Sequence, residues 1–270
     1  MLKRLLTAAV LIPLVVWAIL RLPTPLFIAA TGAFIALAVW EWTGLIPLRT
    51  LPAKILYLLG FAGIAGGAWF ALQQRPEWLN DLLSVAVAWW LVAALWLRWP
   101  QLGRGAATFK FALAVLVLLP AWLALGALHG RAGQGPELAL FIFVLMWVAD
   151  SGAYFAGKTF GRHKLAPRVS PGKTWEGVAG GLTGSALLAV FAGNWFGWSG
   201  ERLLTFVALA LACTVISIVG DLFFSLLKRQ QNLKDTGHLF PGHGGILDRI
   251  DSLLAAVPVF LYGLSKLALT

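Results

Sequence analysis

The sequence predicts an all-α polytopic integral membrane protein, with about nine transmembrane helices and a polar site at the cytoplasmic face. Three observations favour this class. The chain is 60% hydrophobic and only 12% charged, whereas soluble domains average about 25% charged residues. Uncharged runs of about 20 residues, the length that crosses the hydrocarbon core, recur along the chain. Polar side chains are concentrated in two segments, 157–176 and 221–251.

Nine apolar runs are interpreted as helices, because a backbone in lipid has to satisfy its own polar groups. The first follows Lys3 and Arg4 and has no small-x-small cleavage site after it, so we interpret it as an uncleaved span and not as a signal peptide. The run at 82–97 is the shortest and leaves the total open between about eight and ten. The predicted spans lie near 2–20, 26–45, 55–72, 82–97, 111–128, 138–156, 177–197, 203–220 and 252–268.

Basic residues determine the predicted topology. With nine spans and the N-terminus inside, the outside segments keep only Arg21, Arg75, Arg131, Arg202 and Lys266, which leaves 16 of the 21 Lys and Arg residues inside. The positive-inside rule requires such an imbalance, and it places both polar segments on the cytoplasmic face. The net charge of +10 is therefore attributed to topology and anionic ligands, and no nucleic-acid partner is expected, because the chain has no exposed basic domain.

Two regions follow from this distribution. Residues 1–140 are predicted to be an N-terminal transmembrane scaffold. Residues 141–270 are predicted to be the catalytic transmembrane region, with cytoplasmic loops 157–176 and 221–251. Small residues recur four apart in the run at 177–197, which predicts close helix packing; a dimer contact is the alternative.

Carboxylates at the ends of two predicted spans indicate a cation site. Asp221 closes one apolar run, and Asp248 and Asp251 share a helical face at the start of the last one. A single carboxylate there is typical of a solvated helix cap, but three beside a set of cations favour a hard-cation site. Mg²⁺ is the predicted ion, because it takes one or two carboxylates with phosphate oxygens and water. A second cation, monovalent or divalent, is left open, and Asp150 is a functional candidate as an ionisable residue within an apolar run.

The segment 221–251 also carries groups suited to an anion. His243 stands between Gly242 and the pair Gly244-Gly245, and successive glycine amides form an anion nest. His243 is predicted to donate to a phosphate, with a hydrogen bond to a carbonyl of its own turn as the alternative.

The segment 157–176 carries Lys173 between tight Pro/Gly turns, together with Ser170 and Glu176. Its basic side chains suit a polyphosphate, and attraction to anionic lipid is the alternative reason for their sign. No Ser-His-Asp arrangement, zinc-type cluster or HExxH motif occurs in the sequence. Hydrolysis by those routes therefore has no support in the sequence.

Residues 225–251 resemble the signature of the phosphatidate cytidylyltransferase (CDP-diacylglycerol synthase) family. Its positions are matched by Ser225, Lys228-Arg229, Lys234-Asp235, Gly237, Pro241, His243-Gly244-Gly245, Asp248-Arg249 and Asp251. The upstream segment is similar through Ala153-Tyr154, Phe160-Gly161, Lys164-Leu165, Ser170-Pro171, Lys173-Thr174 and Glu176-Gly177. Lys158 stands where the resemblance leads us to expect arginine, which keeps the charge and loses the bidentate fork.

The resemblance implies an often dimeric enzyme of the bacterial inner membrane that makes CDP-diacylglycerol and pyrophosphate from CTP and phosphatidic acid and depends on divalent metal. For catalysis we expect Asp221, from its position at the end of a span, together with the matched residues Asp248, Lys228, Arg229 and Asp235. For substrate binding we expect Asp150, from its position in an apolar run, together with Lys173, Ser170, Glu176, Ser225, Lys234, His243, Gly244, Gly245, Arg249 and Tyr154. The metal ligands are expected to be Asp221, Asp248 and Asp251.

Two other classes stay open. One is a different CTP-dependent enzyme with similar loops, such as a polyprenol kinase. The other is a transporter of an anionic solute, which would place ionisable groups near the middle of the bilayer and often show inverted repeats. Here those groups lie at one face, and no repeat is visible.

Overall fold

The computed structural model describes residues 2–46, 48–237 and 244–267, and for residues 2–8 and 107 it describes the backbone alone. Within these ranges the chain forms nine helices and one short two-stranded sheet. The helices are α1 Leu2–Arg21, α2 Thr24–Trp42, α3 Leu51–Gln74, α4 Trp78–Trp96, α5 Ala107–His129, α6 Gly135–Phe160, α7 Trp175–Trp195, α8 Gly200–Gln230 and α9 Leu247–Lys266. The strands are β1 Lys164–Ala166 and β2 Ser170–Thr174.

Every predicted span coincides with one of these helices. Seven of them, α2 to α8, are long and apolar enough to cross a membrane. The prediction of an all-α polytopic membrane protein is therefore confirmed. The number of crossings and the side that each loop faces stay predictions.

The helix α8 is longer than the sequence analysis expected. It continues past the predicted end at 220 to Gln230, because Leu222, Phe223 and Phe224 are buried and extend its apolar face. The predicted loop 221–251 is thus helical at both ends, and the connection between α8 and α9 covers only residues 231–246. Ser225 lies one turn after Asp221 and donates a hydrogen bond of 3.3 Å to its Oδ1.

The second polar segment contains a β-hairpin that the sequence analysis did not predict. Strands β1 and β2 pair antiparallel, with Lys164 opposite Thr174 and Ala166 opposite Ser170. The backbone amide of Trp175 donates to the carbonyl of His163 at 2.9 Å and closes the open end of the hairpin. This hairpin leads directly into the first turn of α7.

Glycines bring the site helices into contact. A Cβ on Gly180 of α7 would lie 2.7 Å from the carbonyl oxygen of Gly152 in α6. A Cβ on Gly220 of α8 would lie 2.8 Å from the carbonyl oxygen of Asp251 in α9. The small residues of the 177–197 run therefore serve packing within the chain, as predicted.

Candidate active site

A cavity of about 440 Å³ lies between α6, α7, α8 and the hairpin. Four of the predicted site residues line it: Asp150 and Tyr154 from α6, Lys173 from β2 and Asp221 from α8. We call it the polar cavity. Groups that are up to 71 positions apart in the sequence thus share one space, which the hairpin and three helices enclose.

An ion pair between Lys173 and Asp221 crosses the polar cavity. Lys173 Nζ lies 2.5 Å from Asp221 Oδ2, and both side chains keep about a quarter to a third of their surface exposed. The hairpin carries Lys173 and α8 carries Asp221, so the contact fixes the strand relative to the helix. The pair places one fixed positive and one fixed negative charge in a partly exposed site, where a phosphate and a cation can bind.

Asp251 is placed beside Asp221 by the close crossing of α8 and α9 at Gly220. Its side chain is 9% exposed, and its Oδ1 accepts a hydrogen bond of 2.8 Å from the amide of Ser252. Ser252 itself lines the polar cavity. Two of the three predicted metal ligands are therefore close to this cavity.

Asp248 has different surroundings. Its Oδ1 accepts a hydrogen bond of 2.6 Å from Lys228 Nζ, and these side chains are 4% and 11% exposed. Its Oδ2 accepts from the amides of Thr236 and Gly245 at 2.8 and 3.0 Å. Burial alone would raise the pKa of Asp248, but Lys228 and the two amides outweigh it, so the pKa lies below its usual range. Asp248 thus links Lys228 of α8 to Thr236 and Gly245, two described residues of the connection between α8 and α9.

Glu41 is a site residue that the sequence analysis missed. It lies near the end of α2, and its carboxylate accepts hydrogen bonds of 2.9 Å from the amides of Ile246 and Leu247 at the start of α9. The hydroxyl of Thr236 lies 3.1 Å from Glu41 and 3.1 Å from Asp248. A side chain at Gly245 would collide with the Glu41 carboxylate. A lone glutamate at the end of an apolar run gave no signal for this role.

The hairpin is held by contacts from α7. Thr174 caps that helix by accepting a hydrogen bond of 3.1 Å from the amide of Gly177. Glu176, predicted to bind substrate, has its Oε1 2.7 Å from Nδ1 of His163, and the His163 amide donates to both carboxylate oxygens. Glu176 thus fixes His163, the residue just before β1, and so stabilises the hairpin that carries Lys173.

The remaining predicted residues that the structure describes do not line the polar cavity. Arg249 is exposed and lines a second cavity together with Asp150. Gly244 has φ +84°, and a Cβ there would lie 2.8 Å from Asp248 Oδ2, so glycine is required. Arg229 is exposed near the end of α8, and Lys234 and Asp235 are exposed in the connection between α8 and α9. Ser170 begins β2. His243 lies outside the described residues.

The donor chemistry of the site fits a hard cation. Carboxylates are the ligands that Mg²⁺ prefers, and Asp221 and Asp150 line one cavity, with Asp251 next to it. Within residues 2–46, 48–237 and 244–267, however, no three His, Cys, Asp or Glu side chains are close enough together to hold a metal ion. Asp248 contacts Lys228 instead. The expected ligand set of Asp221, Asp248 and Asp251 stays a prediction.

A family model described as the cytidylyltransferase family matches residues 2–266. The chain belongs to the cytidylyltransferase family. It is 42% identical over 273 residues to the phosphatidate cytidylyltransferase of Pseudomonas aeruginosa, covering 96% of this chain and 94% of that protein. It is 41% identical over 287 residues to the phosphatidate cytidylyltransferase of Haemophilus influenzae, covering 96% and 97%. A protein of that name from Bacillus subtilis is 43% identical over 136 residues.

These matches confirm the family predicted from residues 150–251. They also extend it, because the cytidylyltransferase match begins at residue 2 and includes the N-terminal helices. Glu41 therefore lies within the residues that the family model matches. Its contacts with Ile246 and Leu247 give the N-terminal scaffold a direct connection to the signature segment.

Proposed function

We propose that this protein is a phosphatidate cytidylyltransferase, which makes CDP-diacylglycerol and pyrophosphate from CTP and phosphatidic acid. The names of the relatives and the family support this activity. The structural observation that carries it is the Lys173–Asp221 pair in the polar cavity. That pair sets a phosphate-binding cation beside a cation-binding carboxylate, and a reaction between two phosphate compounds needs both.

The proposed reaction is a substitution at phosphorus. An oxygen of the phosphatidate phosphate forms a bond to the α-phosphorus of CTP. The bond from that phosphorus to the oxygen bridging to the β-phosphate breaks, and pyrophosphate leaves with the electron pair. The second pKa of a phosphomonoester is about 6, so the attacking phosphate is already largely ionised at neutral pH. A strong general base is therefore not needed.

The barrier that the protein has to lower is electrostatic. Two anions must approach, and negative charge develops on the departing pyrophosphate. Lys173 is proposed to hold a phosphate in the polar cavity, and Arg249 is proposed to hold the phosphatidate headgroup at the edge of that cavity. Arg229, Lys234 and the glycine-rich turn supply further positive potential and amide donors. The residues Tyr154, Ser170, Ser225, Glu176 and Asp235 are proposed to shape or position this site.

Mg²⁺ is proposed as the cofactor, with Asp221, Asp248 and Asp251 as its ligands and Asp150 close by. When bound, the ion would neutralise phosphate charge and stabilise the leaving group. It would also relieve the repulsion between Asp221 and the neighbouring carboxylate of Asp251 in a partly dry site. Coordination of Mg²⁺ by Asp248 would compete with its hydrogen bond to Lys228. Experiments can therefore separate a metal-binding role of Asp248 from a structural one.

The proposed setting is the bacterial inner membrane, with the polar cavity open to the cytoplasm, where CTP is present. The excess of basic residues in the segments assigned to the inside supports this orientation. A homodimer is also proposed, and no nucleic acid is expected to bind.

The direct test uses purified protein in detergent with CTP and dioleoyl phosphatidate. Equimolar CDP-diacylglycerol and pyrophosphate, formed with Mg²⁺ and abolished by a chelator, are expected. Release of CDP in place of pyrophosphate would indicate a lipid kinase and contradict the proposal. Uptake of an anionic solute into vesicles without any turnover of CTP would indicate a transporter.

A further inference from the structure

An apolar cleft adjoins the polar cavity on the side of α1. Its volume is about 330 Å³, and its apolar walls come from α1, α2, α6 and α9, including Leu11, Ile12, Val15, Phe143, Met146 and Leu253. It continues into a second apolar cavity of about 210 Å³, which shares Val15, Phe143 and Leu253 with it. We call the two together the α1–α9 cleft.

Polar groups line the cleft at one end. Asp150 and Ser252 line both the cleft and the polar cavity, so the two spaces adjoin at these side chains. Arg249, an exposed residue, also lines the cleft. A space with a guanidinium at one end and aliphatic and aromatic walls along the rest matches an anionic headgroup attached to a hydrocarbon chain.

At two other boundaries of the site, glycines bring the helices into close contact. At the seam between α6 and α7, Gly152 and Gly180 leave no room for even a methyl group. At the seam between α8 and α9, Gly220 lies against the backbone of Asp251 with the same consequence. On the side facing α1, the helices α6 and α9 instead leave the cleft between them.

We propose that the α1–α9 cleft binds one acyl chain of phosphatidate, with the lipid phosphate held between Arg249 and the polar cavity. This inference rests on the proposed function and assigns its lipid subsite. Moving a chain from the bilayer into the cleft gains little from the hydrophobic effect, because lipid is as apolar as the cleft. The cleft therefore aligns the headgroup with the site and does not supply strong affinity.

The first experiment maps the chain directly. The purified wild-type protein is irradiated with a phosphatidate that carries a diazirine in the middle of one acyl chain, and labelled peptides are identified by mass spectrometry. Labels are expected on α1 between residues 9 and 21 and on α9 near Leu253, and excess dioleoyl phosphatidate should remove them. Labels spread over all lipid-facing helices, or labels that do not compete, would overturn the inference.

The second experiment fills the cleft. Ile12→Trp places an indole in it, and the matched control is Ile64→Trp, in an apolar cavity of about 800 Å³ between α3, α4 and α5 that shares no lining residue with the cleft. Both isoleucines are about half exposed. Ile12→Trp should lower kcat/KM for dioleoyl phosphatidate at least about fivefold. It should leave the KM for CTP unchanged and activity on water-soluble dihexanoyl phosphatidate within about twofold.

The control variant should behave as wild type with both lipids. Equal losses for Ile12→Trp and Ile64→Trp, or no loss for Ile12→Trp, would overturn the assignment of the cleft. Wild-type protein that makes no CDP-diacylglycerol at all would overturn the proposed function, and this inference with it. Active wild-type protein without labels on α1 would overturn this inference alone.

Discussion

The carboxylate of Glu41, near the end of α2, accepts a hydrogen bond of 2.9 Å from the amide of Leu247 in the first turn of α9. The neighbouring amide of Ile246 donates to the same carboxylate. The first amides of a helix have no partners inside it, and the helix dipole favours negative charge there. A residue of the N-terminal scaffold thus caps the helix that carries Asp248 and Asp251.

Replacing Glu41 should disturb the site without touching substrate. Glu41→Ala removes the cap, which is worth about 0.5–2 kcal/mol, and releases Thr236. We expect the melting temperature to fall and kcat to drop at least about tenfold, with Glu41→Gln intermediate, because its amide oxygen still accepts hydrogen bonds. Melting curves and steady-state kinetics measure both effects.

The control for Glu41 is Glu77→Gln. Glu77 is exposed at the N-cap of α4 and makes no side-chain cap hydrogen bond. It should match wild type in both measurements. Wild-type kinetics for Glu41→Ala would show that the contact does not position the site.

Asp221→Asn keeps the size of the side chain and removes its charge. We expect turnover to be nearly abolished while the protein still folds and inserts, because Asp221 pairs with Lys173 and is a proposed metal ligand. The comparison is Asp81→Asn, an exposed carboxylate in the first turn of α4, which should be close to neutral. Wild-type activity and metal dependence in Asp221→Asn would rule out the proposed metal site.

Lys173→Ala tests the phosphate contact. It should lower kcat/KM at least about tenfold, equivalent to about 1.4 kcal/mol. Lys173→Arg keeps the charge and should recover part of the loss. The kinetics are measured for CTP and phosphatidate separately. If kcat/KM were unchanged for both substrates, Lys173 would not bind substrate, and its charge would serve attraction to anionic lipid instead.

The Lys228–Asp248 pair separates a structural from a metal-binding role of Asp248. Asp248→Asn leaves Lys228 buried without its counter-ion, and breaking a buried pair costs about 3–5 kcal/mol. The melting temperature should therefore fall. The double variant Lys228→Met with Asp248→Leu should regain much of that loss, since apolar replacement of both partners removes the unpaired charge.

The double variant should not regain activity if Asp248 also binds Mg²⁺. If Asp248→Asn melted like wild type but Mg²⁺ no longer supported its activity, Asp248 would act only as a metal ligand. Recovered activity in the double variant would mean that Asp248 acts only through Lys228.

Topology is tested by cysteine labelling of intact cells. The native Cys213 is buried in α8 and is first replaced by serine. Gln101→Cys, in a segment predicted to be inside, should resist a membrane-impermeant maleimide until the cells are permeabilised. Glu201→Cys, in a segment predicted to be outside, should react at once. The reverse pattern would invert the predicted orientation.

The sequence alone determined the class of the protein and most of the helices, because long apolar runs and the positions of charge are local properties of the chain. It also predicted that Asp248 and Asp251 share a helical face, since that depends only on the period of the helix. The ends of the polar segment were less certain. Buried residues after Asp221 extend α8 to Gln230, and their burial depends on partners elsewhere in the fold.

Tertiary structure decided which charged groups meet. Lys173 pairs with Asp221, Lys228 with Asp248, and Glu41 with the start of α9. Glu41 and Leu247 are 206 positions apart, and no local pattern in the sequence links them. Helix packing brings such groups together, and glycines such as Gly220 permit the required closeness. The chain thus encodes its charged groups locally, whereas their partners follow from how the helices pack.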